Sequence, residues 1–163
     1  MARAALSLGS NLDPARHIAA AIAALRARFP GAVFSAVYRT PAVGFDGADF
    51  LNAAAVIDSD LGVEALDAWL HALEDAHGRR RAGPRHGDRT LDIDIVLFDD
   101  LVRDGPGHLR LPRPELRHAF VLRPLAEIAP GMVEPTGGRT LAALWAASPE
   151  RGVAMVQVEL AGT

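Results

Sequence analysis

Residues 89–100 read RTLDIDIVLFDD, and the alternation within TLDIDIVLF predicts a largely buried β-strand over 90–98. Successive side chains of a strand point to opposite faces, so Asp92 and Asp94 project together, about 6.6 Å apart. Aspartate is depleted in strands, and burying two like charges side by side is unfavourable unless a positive group neutralises them. The strand therefore predicts a cationic partner in front of the two carboxylates.

The segments on either side of this strand predict an α+β fold. Upstream of it, the predicted elements are strand 4–8, helix 14–28, strand 32–40, strand 50–58 and helix 63–77. Together with 90–98 they give β-α-β-β-α-β, the ferredoxin-like pattern of an antiparallel sheet covered by helices. The predicted C-terminal additions are a turn-rich segment with a short helix (109–130), a helix at 140–148 and a final strand within 153–160. No internal repeat or linker interrupts the sequence, so we predict a single domain spanning 1–163.

Two local predictions concern helix ends and histidines. Asp13 precedes a proline suited to the first helical position, and it is therefore the predicted N-cap of the first helix. Gly78 is the predicted end of the second helix. His17 and His71 fall on predicted helix surfaces, and we assign them no role.

The composition excludes several classes of protein. The chain has no Cys, which excludes a thiol nucleophile and a disulfide framework, and no Lys, which excludes a P-loop or a Schiff-base enzyme. A net charge of −3 favours neither nucleic acid nor a membrane surface as a partner. No apolar run is long enough for a transmembrane helix, and the first residues lack the layout of a signal peptide. We therefore expect a cytoplasmic protein that would bind phosphates through Arg and metal.

The paired carboxylates have two interpretations. Mg²⁺ suits them, because it is satisfied by one or two carboxylates, waters and substrate phosphates. The alternative is a solvated sheet face that pairs its aspartates with neighbouring Arg, and spacing alone does not decide between the two. Directly upstream, RRRAGPRHGDR (79–89) holds five Arg, two Gly and one Pro and predicts a mobile loop. Guanidinium groups match phosphate oxygens, so this loop favours a lid over a polyphosphate to a merely solvated basic connection.

A third feature predicts a site for a heterocyclic ring. Phe45 and Phe50 flank the Gly-containing loop 41–49, and Asn52 begins the following strand. A buried amide offers donors and an acceptor to the edge of a heterocycle, and aromatic side chains would sandwich the ring. The alternative is that Phe50 belongs to the core and Asn52 to a turn.

Six segments, in order, resemble those of the 6-hydroxymethyl-7,8-dihydropterin pyrophosphokinases of folate biosynthesis: LSLGSN, YRTPAVG, FLNAAAVI, LEDAHGR, RTLDIDIVLF and FVLRPLAEIAP. The resemblance covers about residues 4–147 and includes the R-T-L-D-x-D-I motif. It implies a ferredoxin-like core and an enzyme that transfers the β,γ-diphosphoryl group of ATP to the hydroxymethyl oxygen of the pterin, releasing AMP. It also implies two Mg²⁺ ions held by Asp92 and Asp94. We expect a monomer whose partners are ATP and the pterin.

The resemblance also assigns roles to individual residues. The catalytic positions that it implies are Arg81, Arg89, Asp92 and Asp94. The nucleotide-binding positions that it implies are Glu74, Arg79, Arg81, Arg89, Ile95, Arg113 and His118. The pterin-binding positions that it implies are Thr40, Pro41, Val43, Phe50, Asn52 and Phe120, with the two phenylalanines on either side of the ring.

Some positions depart from the family pattern. His86 and Asp88 stand where Trp and Pro are common, Arg113 stands where His is expected, and His118 stands in an Arg position. We expect Arg113 to supply the displaced charge, and the departures leave room for a paralogue acting on a related pterin. A metal-dependent nucleotidyltransferase is a further alternative, and it would release pyrophosphate rather than AMP. An RNA-binding module is disfavoured, because the Arg-rich loop holds no aromatic residue and the net charge is negative.

Overall fold

The computed structural model of the chain describes residues 1–42, 46–78, 90–104 and 107–160. The Arg-rich segment 79–89, including Arg79, Arg81 and Arg89, lies outside the described residues, as do Val43 and Phe45. The elements in chain order are β1 (Ala2–Ser10), α1 (Pro14–Arg28), β2 (Val33–Phe34), β3 (Val37–Thr40), β4 (Phe50–Ser59), α2 (Val63–Ala76), β5 (Asp92–Phe98), a 3₁₀ turn (Pro114–Arg117), α3 (Ala119–Ile128), β6 (Val133–Glu134), β7 (Arg139–Thr140), α4 (Leu141–Ala146) and β8 (Val156–Val158).

The main sheet has the strand order β5-β1-β4-β3-β8, and β2 pairs with β4 beside β3. All of its pairings are antiparallel. The first four strands in this order, with α1 and α2 as their connections, reproduce the ferredoxin-like arrangement. The predicted α+β class is therefore confirmed. None of the helices in the described ranges combines the length and the apolar character needed to span a bilayer.

The two faces of the sheet carry separate apolar clusters. Ile93 and Ile95 of β5 pack with buried residues of α1 and α2 on one face. On the other face, Leu122 and Leu125 of α3 pack over β4 and the second half of β5. The predicted alternation is confirmed over the first half of β5, where Ile93 and Ile95 face α1 and α2 and the two aspartates face the other way.

β5 contains a bulge that the sequence pattern does not predict. Ala5 pairs with Leu97 and Leu6 pairs with Ile95, so Val96 is an extra residue in the ladder. Val96 and Leu97 both join the cluster under α3. A bulge bends its strand and shifts the alternation, which allows two consecutive side chains to pack on the same side.

The predicted strand 32–40 is interrupted, because β2 and β3 are separated at Ser35 and Ala36. At this interruption, Ser35 takes the place of the regular hydrogen bonding between β4 and the second strand of the prediction. Its hydroxyl accepts the N–H of Ala54 at 2.8 Å, and its own N–H donates to the Ala54 carbonyl at 2.9 Å. The serine side chain thus satisfies a main-chain donor that an uninterrupted strand would have paired.

Tyr38 of β3 joins the sheet to α3 through a polar contact. Its hydroxyl donates to the carboxylate of Glu127, at 2.5 and 2.7 Å from the two oxygens. Arg123 lies 4.9 Å over the Tyr38 ring and 3.2 Å from Glu127. Burial and the hydrogen bond to Glu127 raise the pKa of Tyr38 to about 12. The neutral Tyr38 hydroxyl therefore stabilises the packing of α3 against the sheet.

The local predictions are correct in position but not in every contact. Asp13 occupies the N-cap position of α1, with φ 49°, but it makes no capping hydrogen bond, and its carboxylate pairs with Arg16 at 2.6 Å. α2 ends at Ala76 with His77 as its C-cap, so the predicted cap Gly78 is the next residue, where it has φ +77°. The prediction that His17 lies on a helix surface is wrong: it is 5 % exposed, and its Nδ1 lies 2.7 Å from Nδ1 of His77.

Candidate active site

One row of residues crosses the open part of the sheet face on which α3 packs. Gly9 of β1 pairs with Asp92 on one side and with Asn52 on the other, and Tyr38 follows Asn52. Directly paired residues of antiparallel strands point to the same face, so the acid and the amide project together with Gly9 between them. A Cβ at Gly9 would lie 3.4 Å from Oδ1 of Asn52. Because Gly9 has no side chain, the sheet surface between the side chains of Asp92 and Asn52 stays open.

Asp94 lies one row further along the same face, paired with Ser7. Both aspartates are partly buried, and Asp94 retains 27 % of its side-chain exposure. Burial, and next the negative charge of Asp92, raise the pKa of Asp94 well above its ordinary value, whereas the Arg113 guanidinium lowers it. The two carboxylates thus form a partly buried, mutually repelling pair, as the sequence predicts.

Arg113 is the cation that the described structure places at this pair. Its Nη2 lies 3.4 Å from Oδ1 of Asp94, and its Nε lies 3.1 Å from Oε2 of Glu115. Its backbone N–H donates to the carbonyl of Val96 at 3.0 Å. The bulge residue of β5 therefore positions the backbone of Arg113, so that its side chain returns to the acidic end of the same strand.

Glu74 and Ile95, two further residues predicted to bind the nucleotide, are buried. Glu74 contacts β5 from α2, and Ile95 belongs to β5. Glu74 of α2 is 1 % exposed, and its Oε2 accepts the N–H of Ile93 at 2.8 Å. Ile93 lies between the two aspartates, so this contact holds the part of β5 that presents them. Ile95 is 3 % exposed, and its side chain packs in the cluster of α1 and α2 on the opposite face.

The predicted ring-binding residues of β3 and β4 meet beyond Gly9. Asn52 and Thr40 are 5 % and 7 % exposed, and Nδ2 of Asn52 donates to Oγ1 of Thr40 at 2.5 Å. Phe50, paired with Thr40, is partly buried, and Pro41 is exposed. Nearby, the buried Asn11 donates to the carbonyl of Ala48 at 3.1 Å, which ties the end of β1 to the loop before β4.

His118 and Phe120 stand together at the start of α3. Their rings stack with centroids 5.4 Å apart and an interplanar angle of 11°. Nδ1 of His118 lies 3.1 Å from Oε2 of Glu150, and the other oxygen of Glu150 accepts the N–H of Ala119 at 3.0 Å. His118 is thus tied to an acidic residue of the C-terminal segment, and the sandwich formed by Phe50 and Phe120 stays a prediction.

A cavity of about 660 Å³ is lined in part by Arg113, whose guanidinium also contacts Asp94; the two aspartates themselves do not line it. Its lining includes four arginines, Arg110, Arg113, Arg117 and Arg139. Of these four, only Arg113 is predicted from the sequence. The sequence does contain a pattern for three of them, because Arg recurs at 110, 113 and 117 in LRLPRPELR. A turn-rich segment, however, gives no basis for predicting that these side chains face one cavity. Gly9 was missed as well, because its role depends on strand pairing.

The ferredoxin-like sheet presents paired carboxylates with an arginine, and a buried amide on the same face. The carboxylates and the arginine suit phosphate groups, and the amide suits a polar ring. These groups together are those of an enzyme that acts on both. The sequence profile of the 7,8-dihydro-6-hydroxymethylpterin-pyrophosphokinase family matches residues 5–130. This chain belongs to that family.

Three relatives agree with this membership, and each is named 2-amino-4-hydroxy-6-hydroxymethyldihydropteridine pyrophosphokinase. The protein from Methylorubrum extorquens is 40 % identical over 163 residues, which covers 96 % of this chain and 100 % of the relative. The protein from Pseudomonas aeruginosa is 40 % identical over 158 residues, covering 93 % and 94 %. The protein from Synechocystis is 35 % identical over 142 residues, covering 85 % and 72 %.

Proposed function

We propose that Asp92 and Asp94 form the catalytic centre for the reaction of this family. That reaction is the ATP-dependent transfer of a diphosphoryl group to the hydroxymethyl group of 6-hydroxymethyl-7,8-dihydropterin in folate biosynthesis, with AMP as the second product. The observation that carries the proposal is the strand register that brings Asp92 and Asp94 onto the face shared with Asn52, where burial and the charge of Asp92 raise the pKa of Asp94. Two adjacent carboxylates in a partly buried setting are unfavourable by themselves, and a bound cation would relieve their repulsion.

The donor set fits Mg²⁺. Two carboxylates at alternate positions of one strand offer hard oxygen ligands on a single face, and Mg²⁺ binds through one or two carboxylates together with substrate phosphates. We propose two ions at this pair. When bound, Mg²⁺ neutralises phosphate charge and lowers the pKa of an oxygen that it coordinates.

The cationic residues would then position the triphosphate of ATP. Arg113 lies 3.4 Å from Asp94, within reach of any phosphate held beside that carboxylate. Diphosphoryl transfer requires in-line positioning and charge stabilisation, so fixed guanidinium groups can supply much of what the protein contributes. The other residues that we assign to ATP are Glu74, Arg79, Arg81, Arg89, Ile95 and His118.

The pterin is assigned to the other side of Gly9. The amide of Asn52 and the hydroxyl of Thr40 are buried polar groups that already share a hydrogen bond, and together they offer donors and acceptors to the edge of a pterin. The remaining residues that we assign to the pterin are Pro41, Val43, Phe50 and Phe120. This assignment rests on the resemblance and on the position of Asn52 in the same row as Asp92.

The test is product analysis with purified protein, ATP, Mg²⁺ and hydroxymethyl-dihydropterin. We expect stoichiometric AMP and pterin diphosphate, and none without Mg²⁺. Release of pyrophosphate in place of AMP would support a nucleotidyltransferase instead. A preference for a differently substituted pterin, measured as kcat/KM, would support the paralogue.

Arg81, outside the described residues, needs its own test. Loss of a charge-assisted contact to phosphate costs about 1.5–3 kcal/mol, so Arg81→Ala should slow transfer at least ~10-fold. Single-turnover rates at saturating ATP measure this, with Arg16→Ala as a control because Arg16 is exposed and pairs only locally with Asp13. A fully active Arg81→Ala enzyme would remove Arg81 from the catalytic set.

We further propose that residues 1–163 act as one cytoplasmic domain and as a monomer, with no nucleic-acid or membrane partner. The net charge of −3 supports the absence of a polyanionic partner. Light scattering at the concentrations used for activity assays tests the oligomeric state.

A further inference from the structure

Three side chains outside the active site converge on one carboxylate. Asp67 and His71 stand one turn apart on α2, and His108 reaches them from the segment after β5. Nε2 of His108 lies 2.7 Å from Oδ2 of Asp67, and Nε2 of His71 lies 3.7 Å from Oδ1. The ligand atoms of these three residues, which we call the outer cluster, all lie within 4.8 Å of one another.

The position of His108 is fixed by a clamp at the base of its segment. Arg103 and Leu111 form a two-way backbone bridge, with N···O distances of 2.7 and 2.9 Å. The Arg103 guanidinium also pairs with Glu64, in the first turn of α2. The paired residues Arg103 and Leu111 are therefore held near Glu64 of α2, one turn before Asp67. His108 meets Asp67 through this anchoring rather than through a chance approach of two exposed side chains.

We propose that the outer cluster binds Zn²⁺. Zn–N bonds of about 2.0–2.1 Å and Zn–O bonds of about 2.0–2.2 Å place neighbouring ligands of a tetrahedral site about 3.4 Å apart. In the structure the two histidines approach different oxygens of Asp67: His108 lies 2.7 Å from Oδ2 and His71 lies 3.7 Å from Oδ1. The ligand atoms of all three residues lie within 4.8 Å of one another, so side-chain rotations that direct both imidazoles toward a metal on one oxygen complete the site. Three protein ligands leave the fourth position to water.

The donor types separate this site from the acidic pair. Two imidazole nitrogens select Zn²⁺ and its neighbours in the first transition series, whereas Mg²⁺ prefers a set made entirely of oxygens. A hydrogen bond between His108 and Asp67 alone would account for one of the imidazoles. The second imidazole, that of His71, directs its Nε2 toward the other oxygen of the same carboxylate, with its ring 4.7 Å from that of His108, so both imidazoles converge on Asp67.

Contacts from the outer cluster lead to two residues that we assign to ATP, Arg113 and Glu74. The carbonyl of His108 lies 3.5 Å from Nη1 of Arg113, and Nε2 of His71 lies 4.0 Å from Oε1 of Glu74. Zn²⁺ would therefore join α2 to the segment that precedes Arg113, and it would stabilise the placement of that arginine beside Asp94.

The test is Zn²⁺ titration against a chromophoric chelator, without nucleotide or pterin. We expect one Zn²⁺ per chain at the outer cluster, not displaced by excess Mg²⁺, and a higher unfolding temperature when it is bound. Co²⁺ in its place should give the intense visible absorption of a tetrahedral nitrogen–oxygen site. His108→Ala and His71→Ala should each weaken binding at least ~10-fold. Because the His108 side chain is 60 % exposed, the metal-free His108→Ala variant should unfold at the wild-type temperature.

Two matched variants make the result specific. His77→Ala removes a histidine paired with His17, and Asp92→Asn changes the acidic pair; neither should alter Zn²⁺ binding. Zn²⁺ affinity that is unchanged in both His108→Ala and His71→Ala would overturn the proposal, as would an affinity that falls in Asp92→Asn. Neither result depends on whether the diphosphokinase assignment is correct.

Discussion

The guanidinium of Arg113 lies 3.4 Å from the carboxylate of Asp94, while the backbone of the same arginine is bonded to Val96 of the same strand. β5 therefore presents the acidic pair and also positions the arginine that opposes part of its charge. The pKa of Asp94 nevertheless remains raised, because burial and Asp92 together outweigh this one cation. A ligand of the acidic pair must therefore bring further positive charge.

Asp92→Asn and Asp94→Asn should each reduce AMP formation more than ~10-fold, a loss above ~1.4 kcal/mol in transition-state stabilisation. Each change removes an oxygen ligand for Mg²⁺ and keeps the shape of the side chain. Because it also removes one of two repelling charges, the unfolding temperature without ligands should equal or exceed that of the wild type. Activity above a tenth of the wild-type value in either variant would contradict the metal-binding role.

Arg113→Ala should weaken the kinetic use of ATP by about 1.5–3 kcal/mol in kcat/KM, the usual cost of losing a charge-assisted hydrogen bond. Arg113→Lys keeps the charge without the planar fork and should fall between Arg113→Ala and the wild type. Steady-state kinetics with ATP as the varied substrate measures both. The pterin KM is the internal control, and a larger effect on pterin than on ATP would place Arg113 in the wrong half of the site.

Asn52→Ala should weaken pterin binding much more than ATP binding, by calorimetry with each ligand alone. The substitution removes an amide that contacts Thr40 at 2.5 Å and would face the ring edge. It also leaves the buried Thr40 hydroxyl without this partner, so unfolding should become easier by about 1–3 kcal/mol. Thr40→Val in the Asn52→Ala background should restore part of that stability and none of the pterin affinity. Equal losses for both ligands would mean that Asn52 is structural.

Tyr38 makes the stability of the fold depend on alkaline pH. An unfolded phenol ionises near its ordinary pKa of 10.0, whereas Tyr38 in the folded chain ionises near 12. Between these values the unfolded state binds fewer protons, so the free energy of unfolding falls as pH rises. The stabilisation is complete below pH 10 and is lost above pH 12, a change of about 2–3 kcal/mol.

The sequence makes this measurement unusually direct. The chain has one Tyr and neither Lys nor Cys, so phenolate absorbance in this range reports Tyr38 alone. Denaturant unfolding from pH 9 to 12 should show the fall in the wild type and a nearly flat profile in Tyr38→Phe. A folded-state titration midpoint close to that of the unfolded chain would show that Glu127 does not hold the phenol neutral.

Period-2 alternation was enough to predict which face of β5 carries the acids, because Ile93 and Ile95 need a core and the aspartates do not. It could not predict the bulge at Val96, since an apolar run is compatible with burial on either face. Ser35 broke the expected second strand for a related reason: a hydroxyl that accepts a main-chain N–H can replace one ladder bond, and nothing in the local pattern indicates when it does so.

Contacts between residues far apart in the sequence also limited what could be predicted. Asp67 and His71 share a helix face at a spacing visible in the sequence, but His108 joins them only because Arg103 and Leu111 close its segment. In the same way, His17 was expected on a surface because its own helix leaves it there, and it is buried because His77 lies against it. Resemblance identified Arg113 as a departure, and its distance from Asp94 required the folded chain.

The placement of Gly9 between Asp92 and Asn52 has a consequence for substrate size. The two side chains stand on strands separated by β1, so their Cα atoms lie about 10 Å apart, two inter-strand spacings. Backbone hydrogen bonds set this interval, and no side chain contributes to it. Substitutions can change the length of either side chain, but they leave the Cα separation of the acid and the amide unchanged. Under the proposed assignment, adaptation to a molecule whose reactive oxygen lies one bond further from its ring therefore has to come from side-chain length, as in Asp92→Glu, because the strand spacing is fixed.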